Sequence, residues 1–216
     1  MTEPSDDIRA HGADPQQVVV LDAKGLRAMA HPVRVELVGL LRRYGPSTAT
    51  ELAQRMGLNS GATSYHLRQL AAAGFIEEDA ERGNARERWW RSRYDSTWFT
   101  DQSLIDQEPE ASLAYLQSAA AAYTLQTQRA VNEFLTMPFE WRRLWQMSDS
   151  ALWLTAQETE SLEEELAAVI ARYRQDSEQA RATAPQDAAR VTLITHVLPE
   201  PEDGEPADAV PRGVER

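Results

Sequence analysis

The pattern of apolar and polar residues between positions 48 and 74 predicts two short helices joined by a tight turn. Thr48 and Glu51 have the spacing of a capping box, in which each side chain accepts a hydrogen bond from the other residue's backbone amide. The helix that they open ends at Gly57 and carries three apolar residues on one side, Leu52, Ala53 and Met56. A two-residue turn then leads into the second helix, which is the order of a helix-turn-helix.

The second helix is predicted over residues 59–73 and has two different faces. Asn59 can cap its first turn, and Gly74 follows its last apolar position, where a residue that tolerates positive φ often ends a helix. One face repeats apolar positions at i, i+4 and i+7, at Thr63, Leu67 and Leu70. The opposite face carries small residues, one aromatic ring and one guanidinium: Ser60, Gly61, Ser64, Tyr65 and Arg68.

This second face is shallow, polar and cationic, which suits insertion into the major groove of DNA. We therefore predict that its five residues contact DNA. The alternative is the solvent-exposed face of an ordinary helix, but such a face usually carries glutamate or lysine, and this one carries neither.

After Gly74 the pattern changes from helical to extended. Short strands are predicted over residues 75–78 and 88–94, with a turn over residues 81–86 between them. Two strands that follow a helix-turn-helix and are joined by a turn form a β-wing.

The tip of the predicted wing is rich in arginine. Arg82 and Arg86 are predicted to contact phosphates or the minor groove, because a flexible arginine close to DNA gains by releasing counterions. The alternative is that Glu81 and Glu87 hold these arginines in ion pairs on the surface.

Two helices are predicted before the helix-turn-helix. Asp22 can cap the first, and the second begins at Pro32, where the missing amide costs nothing at the first helical position. The second helix carries an apolar stripe at Val33, Leu37, Leu40, Leu41 and Tyr44. We expect this stripe to pack beneath the helix-turn-helix.

The order and spacing of these motifs resemble the winged helix-turn-helix of the ArsR-type bacterial transcription regulators. The resemblance covers residues 22–95 and rests on four segments, residues 30–34, 48–56, 64–70 and 73–76. It implies a sequence-specific DNA-binding protein that acts as a homodimeric repressor. Many relatives of this family bind metals through cysteine or histidine clusters, and that expectation fails for this chain.

The composition changes after residue 95. We predict a linker over residues 96–109 and then an alanine-rich helix over residues 110–137, whose apolar positions have near-heptad spacing. Small residues at 119–122 would let a second copy of this helix approach closely, so it is the expected dimer element. The elements expected beyond it are a strand, a capped helix and a last strand, over residues 151–154, 156–173 and 191–197.

The charge of the chain is unevenly distributed. The whole chain carries −12, whereas residues 24–94 hold 12 Lys+Arg and 7 Asp+Glu, a net charge of +5 that leaves −17 for the rest. A basic module on an acidic body is compatible with local DNA binding but argues against nonspecific coating of nucleic acid. No apolar run resembles a signal peptide or a membrane span, so we expect a cytoplasmic protein with no membrane partner.

Other kinds of site have less support. Trp141, Trp145 and Trp153 could line a pocket for a planar effector, although large aromatic residues more often belong to a core. The chain has no cysteine, and its 4 histidines lack ligand spacing, so we expect no metal and no other cofactor. His66 is instead expected to be hydrogen-bonded inside the module. No nucleophile–base pair, phosphate loop or metal signature is present in the sequence, which argues against an enzyme.

The sequence thus predicts a mainly α protein with a small β component (α+β), a winged helix-turn-helix followed by a helical or α+β dimerisation domain. The expected layout is disordered tails at 1–17 and 199–216, a DNA-binding domain at 18–95, a linker at 96–109, and a dimerisation and effector domain at 110–198. The predicted function is a homodimeric transcriptional repressor that recognises a palindromic operator with helix 59–73 and wing 75–94. A small organic molecule or a partner protein is the expected effector. The alternative is a protein-interaction module that keeps the fold but does not bind DNA.

Overall fold

The computed structural model describes residues 17–82, 87–99 and 101–200, so the two predicted tails lie almost entirely outside the described residues. The helices are α1 (Ala23–Met29), α2 (Pro32–Tyr44), α3 (Ala49–Met56), α4 (Ser60–Ala73), α5 (Gln102–Gln107), α6 (Pro109–Glu133), α7 (Phe139–Arg142), α8 (Ala156–Ala171) and α9 (Glu178–Thr183). A 3-10 turn, Phe134–Thr136, follows α6. The strands are β1 (Val18–Val20), β2 (Ser47–Thr48), β3 (Ile76–Glu78), β4 (Trp89–Ser92) and β5 (Ser96–Trp98). The predicted fold class, mainly helical with a small sheet component, is confirmed.

The predicted caps define the two helices of the helix-turn-helix. Thr48 Oγ1 accepts from the Glu51 amide at 3.2 Å, and Glu51 Oε2 accepts from the Thr48 amide at 3.0 Å, so the capping box of α3 is complete. Asn59 Oδ1 accepts from the amide of Ala62 at 2.7 Å and caps α4. Gly57 and Gly74 end the two helices in the left-handed region, at φ 66° and 87°. These local signals were sufficient to predict both helices.

The core of the module lies between α1, α2, α3 and α4. All four helices contribute leucines that are completely or almost completely buried: Leu26, Leu37, Leu52, Leu67 and Leu70. Burying one such side chain stabilises a fold by roughly 1.5–3 kcal/mol. The predicted stripe of α2 is correct at Leu37, Leu40 and Leu41, but Tyr44 is half exposed, with the guanidinium of Arg55 over its ring.

Two small sheets join distant parts of the chain. In the first, β4 lies between β2 and β3 and is antiparallel to both, so that Trp90 is opposite Ser47 on one side and Glu78 on the other. In the second, β1 pairs in parallel with β5. The segment 96–109, which we expected to be a linker, therefore contains strand β5 and helix α5. The sequence did not reveal this strand because its hydrogen-bonding partner is almost eighty positions away.

Helix α6 packs against α1 and α2, and Tyr115 joins the same apolar core as Leu26 and Leu37. The strands predicted at 151–154 and 191–197 are wrong, since both segments lack regular structure. No strand in the described part of the chain pairs with either, and Leu152 and Val191 are mostly exposed. Helix α8 buries Ala167, while its larger apolar residues Leu166 and Val169 are exposed.

No helix in the described ranges is long and apolar enough to cross a membrane.

Candidate nucleic-acid interface

Helix α4 presents the predicted recognition face to solvent. Ser60, Gly61 and Arg68 are exposed, Tyr65 is 54% exposed, and Ser64 is partly exposed. Thr63, Leu67 and Leu70 fix this orientation, because they are completely buried on the opposite side of the helix. The accessibility that DNA contact requires is therefore present, while the contact itself stays a prediction.

The recognition face divides into two strips. Ser60, Ser64 and Arg68 lie at i, i+4 and i+8, and together with Thr50 and Arg88 they line a groove of about 430 Å³ between the helix-turn-helix and β4. We call this groove the recognition groove. Its walls carry hydroxyls, two guanidinium groups and the carboxylate of Glu87. The hydroxyls and guanidinium groups are donors suited to base edges and phosphates.

Gly61 and Tyr65 form the second strip, one position further round the helix. A Cβ atom at Gly61 would lie 3.3 Å from Oδ1 of Asn59, the oxygen that caps α4. Glycine therefore leaves the cap and the neighbouring surface open for a close approach of another molecule.

Arg68 is the cation of this face that is not already engaged. It forms no hydrogen bond and no ion pair with any residue that the structure describes. Its side chain projects from a helix that buried leucines hold in place. The N–H donors of the guanidinium group therefore start from a fixed backbone position and are free to bind another molecule. A guanidinium in that state can donate two parallel hydrogen bonds to guanine or to a phosphate.

The described arginines of the wing all have carboxylate partners. Arg82 Nε lies 3.5 Å from Asp79 Oδ2, so Asp79, rather than the predicted Glu81 or Glu87, is the partner that the structure gives it. Arg88 lies 3.8 Å from Glu78, whereas Arg91 and Arg93 share Glu77. Arg86, the other predicted contact, lies outside the described residues.

The ion pairs that involve Glu77 and Glu78 are weak enough to be exchanged for contacts with DNA. Both partners of these pairs are exposed, and exposed pairs contribute only about 0–1 kcal/mol. The tightest of them is Arg91 with Glu77, at 2.7 Å, and its hydrogen bond raises the pKa of Arg91. The pair of Arg82 differs, because Asp79 is buried.

His66 behaves differently from our expectation. Its ring contacts that of His31 at a centroid distance of 4.5 Å, but its buried Nδ1 has no hydrogen-bond partner among the described residues. Burial, reinforced by His31 and Arg34, lowers the pKa of His66. Burial, with Arg34, also lowers the pKa of His31, whose Nδ1 accepts from the Val33 amide at 3.2 Å and so caps α2. Both rings are therefore neutral at pH 7.

The three tryptophans do not enclose the predicted pocket. Trp153 is 91% exposed, so it provides no wall. Trp145 packs edge-to-face against Phe134 at 5.5 Å, and Trp141 is partly exposed. A cavity of the size of a ligand lies elsewhere, between α2, β5 and α6. Within the described ranges, no group of three or more potential metal ligands is present.

Comparison with known proteins agrees with this geometry. Residues 29–79, from the end of α1 to β3, match the family model of a helix-turn-helix domain. No curated protein matches the chain. The fold and this match together indicate a DNA-binding regulator of the winged helix-turn-helix class.

Proposed function

We propose that this protein is a sequence-specific transcriptional repressor that binds a palindromic operator as a homodimer. We further propose that it is a cysteine-free relative of the ArsR-type regulators with a C-terminal extension, acting in the cytoplasm without catalysis. The observation that carries the proposal is Arg68, a solvent-facing cation with uncommitted donors on the second helix of a helix-turn-helix.

The geometry supports different roles for two surfaces, the recognition groove and the wing. The recognition groove would recognise bases, since Ser60, Ser64 and Arg68 lie side by side on one strip of α4. The wing would bind phosphates, because its arginines are exposed and three of them are held only by the exposed carboxylates Glu77 and Glu78. Phosphate contacts provide affinity and orientation, and base contacts provide specificity.

The surface of α6 supports a dimer. This helix has 25 residues, a length of about 38 Å, and it leaves large apolar side chains in solvent. They are Leu113, Leu116 and Val131. Exposed apolar side chains along one helix favour association with a second copy, and a two-fold pair would place two recognition helices on two half-sites.

The experiment that tests the proposal is genome-wide recovery of DNA fragments cross-linked to the full-length protein in its own host, with a host lacking the protein as control. We expect fragments that share a palindromic motif, with half-sites about one helical turn apart. In a host lacking the protein, transcription next to these fragments should rise. A fall in transcription would show an activator rather than a repressor.

A second function is favoured by one observation, the pairing of every described wing arginine with a carboxylate on an acidic chain of net charge −12. The protein would then be an interaction module that keeps the fold without binding DNA. No enrichment of DNA, together with recovery of one stoichiometric protein partner, would establish this alternative.

A further inference from the structure

A cavity of about 330 Å³ lies between α2, β5 and α6. Its floor includes the buried Val38 and Leu40 of α2, and its roof includes Tyr115, Ala119 and Ala122 of α6. Sites for small organic molecules commonly have volumes from about 300 Å³ upwards, so this cavity is at the small end of that range. This cavity is not part of the recognition groove or of the proposed dimer surface.

Several of the charged side chains that line the cavity form ion pairs. Arg129 Nη2 lies 2.5 Å from Glu36 Oε1, and Asp176 bridges Arg181 and Arg190 at 2.8 and 2.5 Å. Two carboxylates thus serve three arginines, and Arg43 lines the cavity without a carboxylate partner among the described residues, so the rim keeps a net positive charge.

Within the described part of the chain, Arg42 has only neutral hydrogen-bond partners. Its Nε donates to the carbonyl oxygen of Tyr94 and its Nη2 to Thr97 Oγ1, both at 2.8 Å. These two neutral acceptors hold the guanidinium in place, and no described carboxylate lies within ion-pairing distance of it. Asp95 acts on it only at longer range. A guanidinium has five N–H donors, so three remain for another acceptor.

The environment of Arg42 makes an anion favourable. Burial lowers its pKa to about 10, against the opposing influence of Tyr115, Asp95 and Tyr123, so the group remains charged at neutral pH. A desolvated cation without a close counter-ion is costly, and an incoming carboxylate would remove that cost. The guanidinium is also already oriented, so it would lose little freedom on binding.

One part of the wall, formed by tyrosine and alanine side chains of α6, can contact an apolar body. Tyr115 is buried and Tyr123 is 43% exposed, so that one ring is inside and the other is at the mouth. Burial raises the pKa of the Tyr115 phenol to about 12, which keeps it a neutral hydrogen-bond donor. The small side chains of Ala119 and Ala122 leave room between α6 and α2 for a ring or a short alkyl chain.

We propose that this cavity binds a small organic monocarboxylate whose carboxylate pairs with Arg42 and whose apolar body lies against Tyr115 and the alanines of α6. The site is separate from the predicted tryptophan pocket and does not depend on DNA binding.

Isothermal titration calorimetry on the full-length protein tests this proposal with matched acid and amide pairs. The probes are 2-naphthoate, indole-3-acetate and decanoate, each compared with its neutral primary amide at neutral pH. At least one acid should bind with a submillimolar Kd, and its amide should bind at least about tenfold more weakly, because the charge-assisted bidentate pair is lost. Equal binding of an acid and its amide, or no binding by any of the three acids at millimolar concentration, would overturn the proposal.

Three variants locate the site. Arg42→Gln should abolish binding of the acid, but it also removes hydrogen bonds to Tyr94 and Thr97 and could disturb folding. Ala122→Phe keeps Arg42 and fills the cavity, so it should also abolish binding while thermal unfolding stays cooperative. Ala121→Phe is the matched control, since Ala121 is exposed on the same helix and does not line the cavity, and it should bind like the wild type. Unchanged binding by the folded Ala122→Phe protein would show that the ligand sits elsewhere.

Discussion

Replacing Arg68 by alanine separates recognition of DNA from stability of the fold. Arg68 is exposed and has no hydrogen bond or ion pair with a described residue, so the free energy of unfolding should change by less than about 0.5 kcal/mol. If its guanidinium donates two hydrogen bonds to guanine, specific binding should weaken by about 1–3 kcal/mol. That loss corresponds to a Kd about 5–150 times higher on the operator.

Fluorescence anisotropy with labelled duplexes measures this loss on the operator and on a scrambled sequence at the same salt concentration. Gln69→Ala is the matched control, because Gln69 is the next exposed residue of α4 but does not line the recognition groove. We expect Arg68→Ala to lose affinity for the operator only, and Gln69→Ala to lose little on either duplex. An equal loss on both duplexes would make Arg68 a phosphate contact, and no loss on either would refute the assignment of α4 as the recognition helix.

Three further predictions concern the wing, the dimer and pH. Arg82→Ala should weaken binding to every sequence and reduce the slope of log Kd against log salt by about 0.9, whereas an unchanged slope would leave Arg82 paired with Asp79 in the complex. Leu116→Glu should convert a dimer to a monomer in sedimentation experiments. Gln117→Glu, at the exposed neighbouring position, should leave the protein dimeric. A dimeric Leu116→Glu protein would show that the interface does not lie on α6. The pKa values of His31 and His66 are lower in the folded protein than their usual 6.5. As the pH falls through 6.5, the unfolded chain therefore binds more protons than the folded protein, and the melting temperature should decrease from pH 7.5 to 5.5. His66→Gln should flatten this decrease, and a pH profile identical to the wild type would contradict it.

Features that the sequence predicted well are those fixed by neighbouring residues. The capping box of Thr48 and Glu51, the Asn59 cap and the left-handed Gly74 each depend on contacts within a few positions, and all are present. The exposed face of α4 followed from the period of its buried residues. Whether this face recognises DNA remains a prediction that the fold is consistent with but does not test.

Features that depend on distant residues were missed. Strand β5 requires β1 as its partner, almost eighty positions away. The pair of Asp79 and Arg82 is different, since the two residues are only three positions apart and the sequence pattern still did not single it out. Apolar runs at 151–154 and 191–197 indicated strands, but a strand forms only where a second one can accept its hydrogen bonds. The role proposed for Arg42 had no signal in the sequence, because the cavity exists only where α6 packs over α2.

The packing of α6 on α1 and α2 has a consequence for protein engineering. The backbone amide of Leu21 donates to the carbonyl oxygen of Trp98 at 2.9 Å, and Tyr115 belongs to the same core as Leu26 and Leu37. Residues that follow the wing in the sequence therefore help to stabilise the DNA-binding module. A fragment cut at residue 96 would lose that hydrogen-bond acceptor and uncover the apolar surfaces of α1 and α2. A chimeric regulator made from this module should therefore carry the chain through at least the middle of α6, with the fusion point after Ser118. A fusion made at the end of the wing would transfer the residues that recognise DNA but would destabilise the fold that holds them.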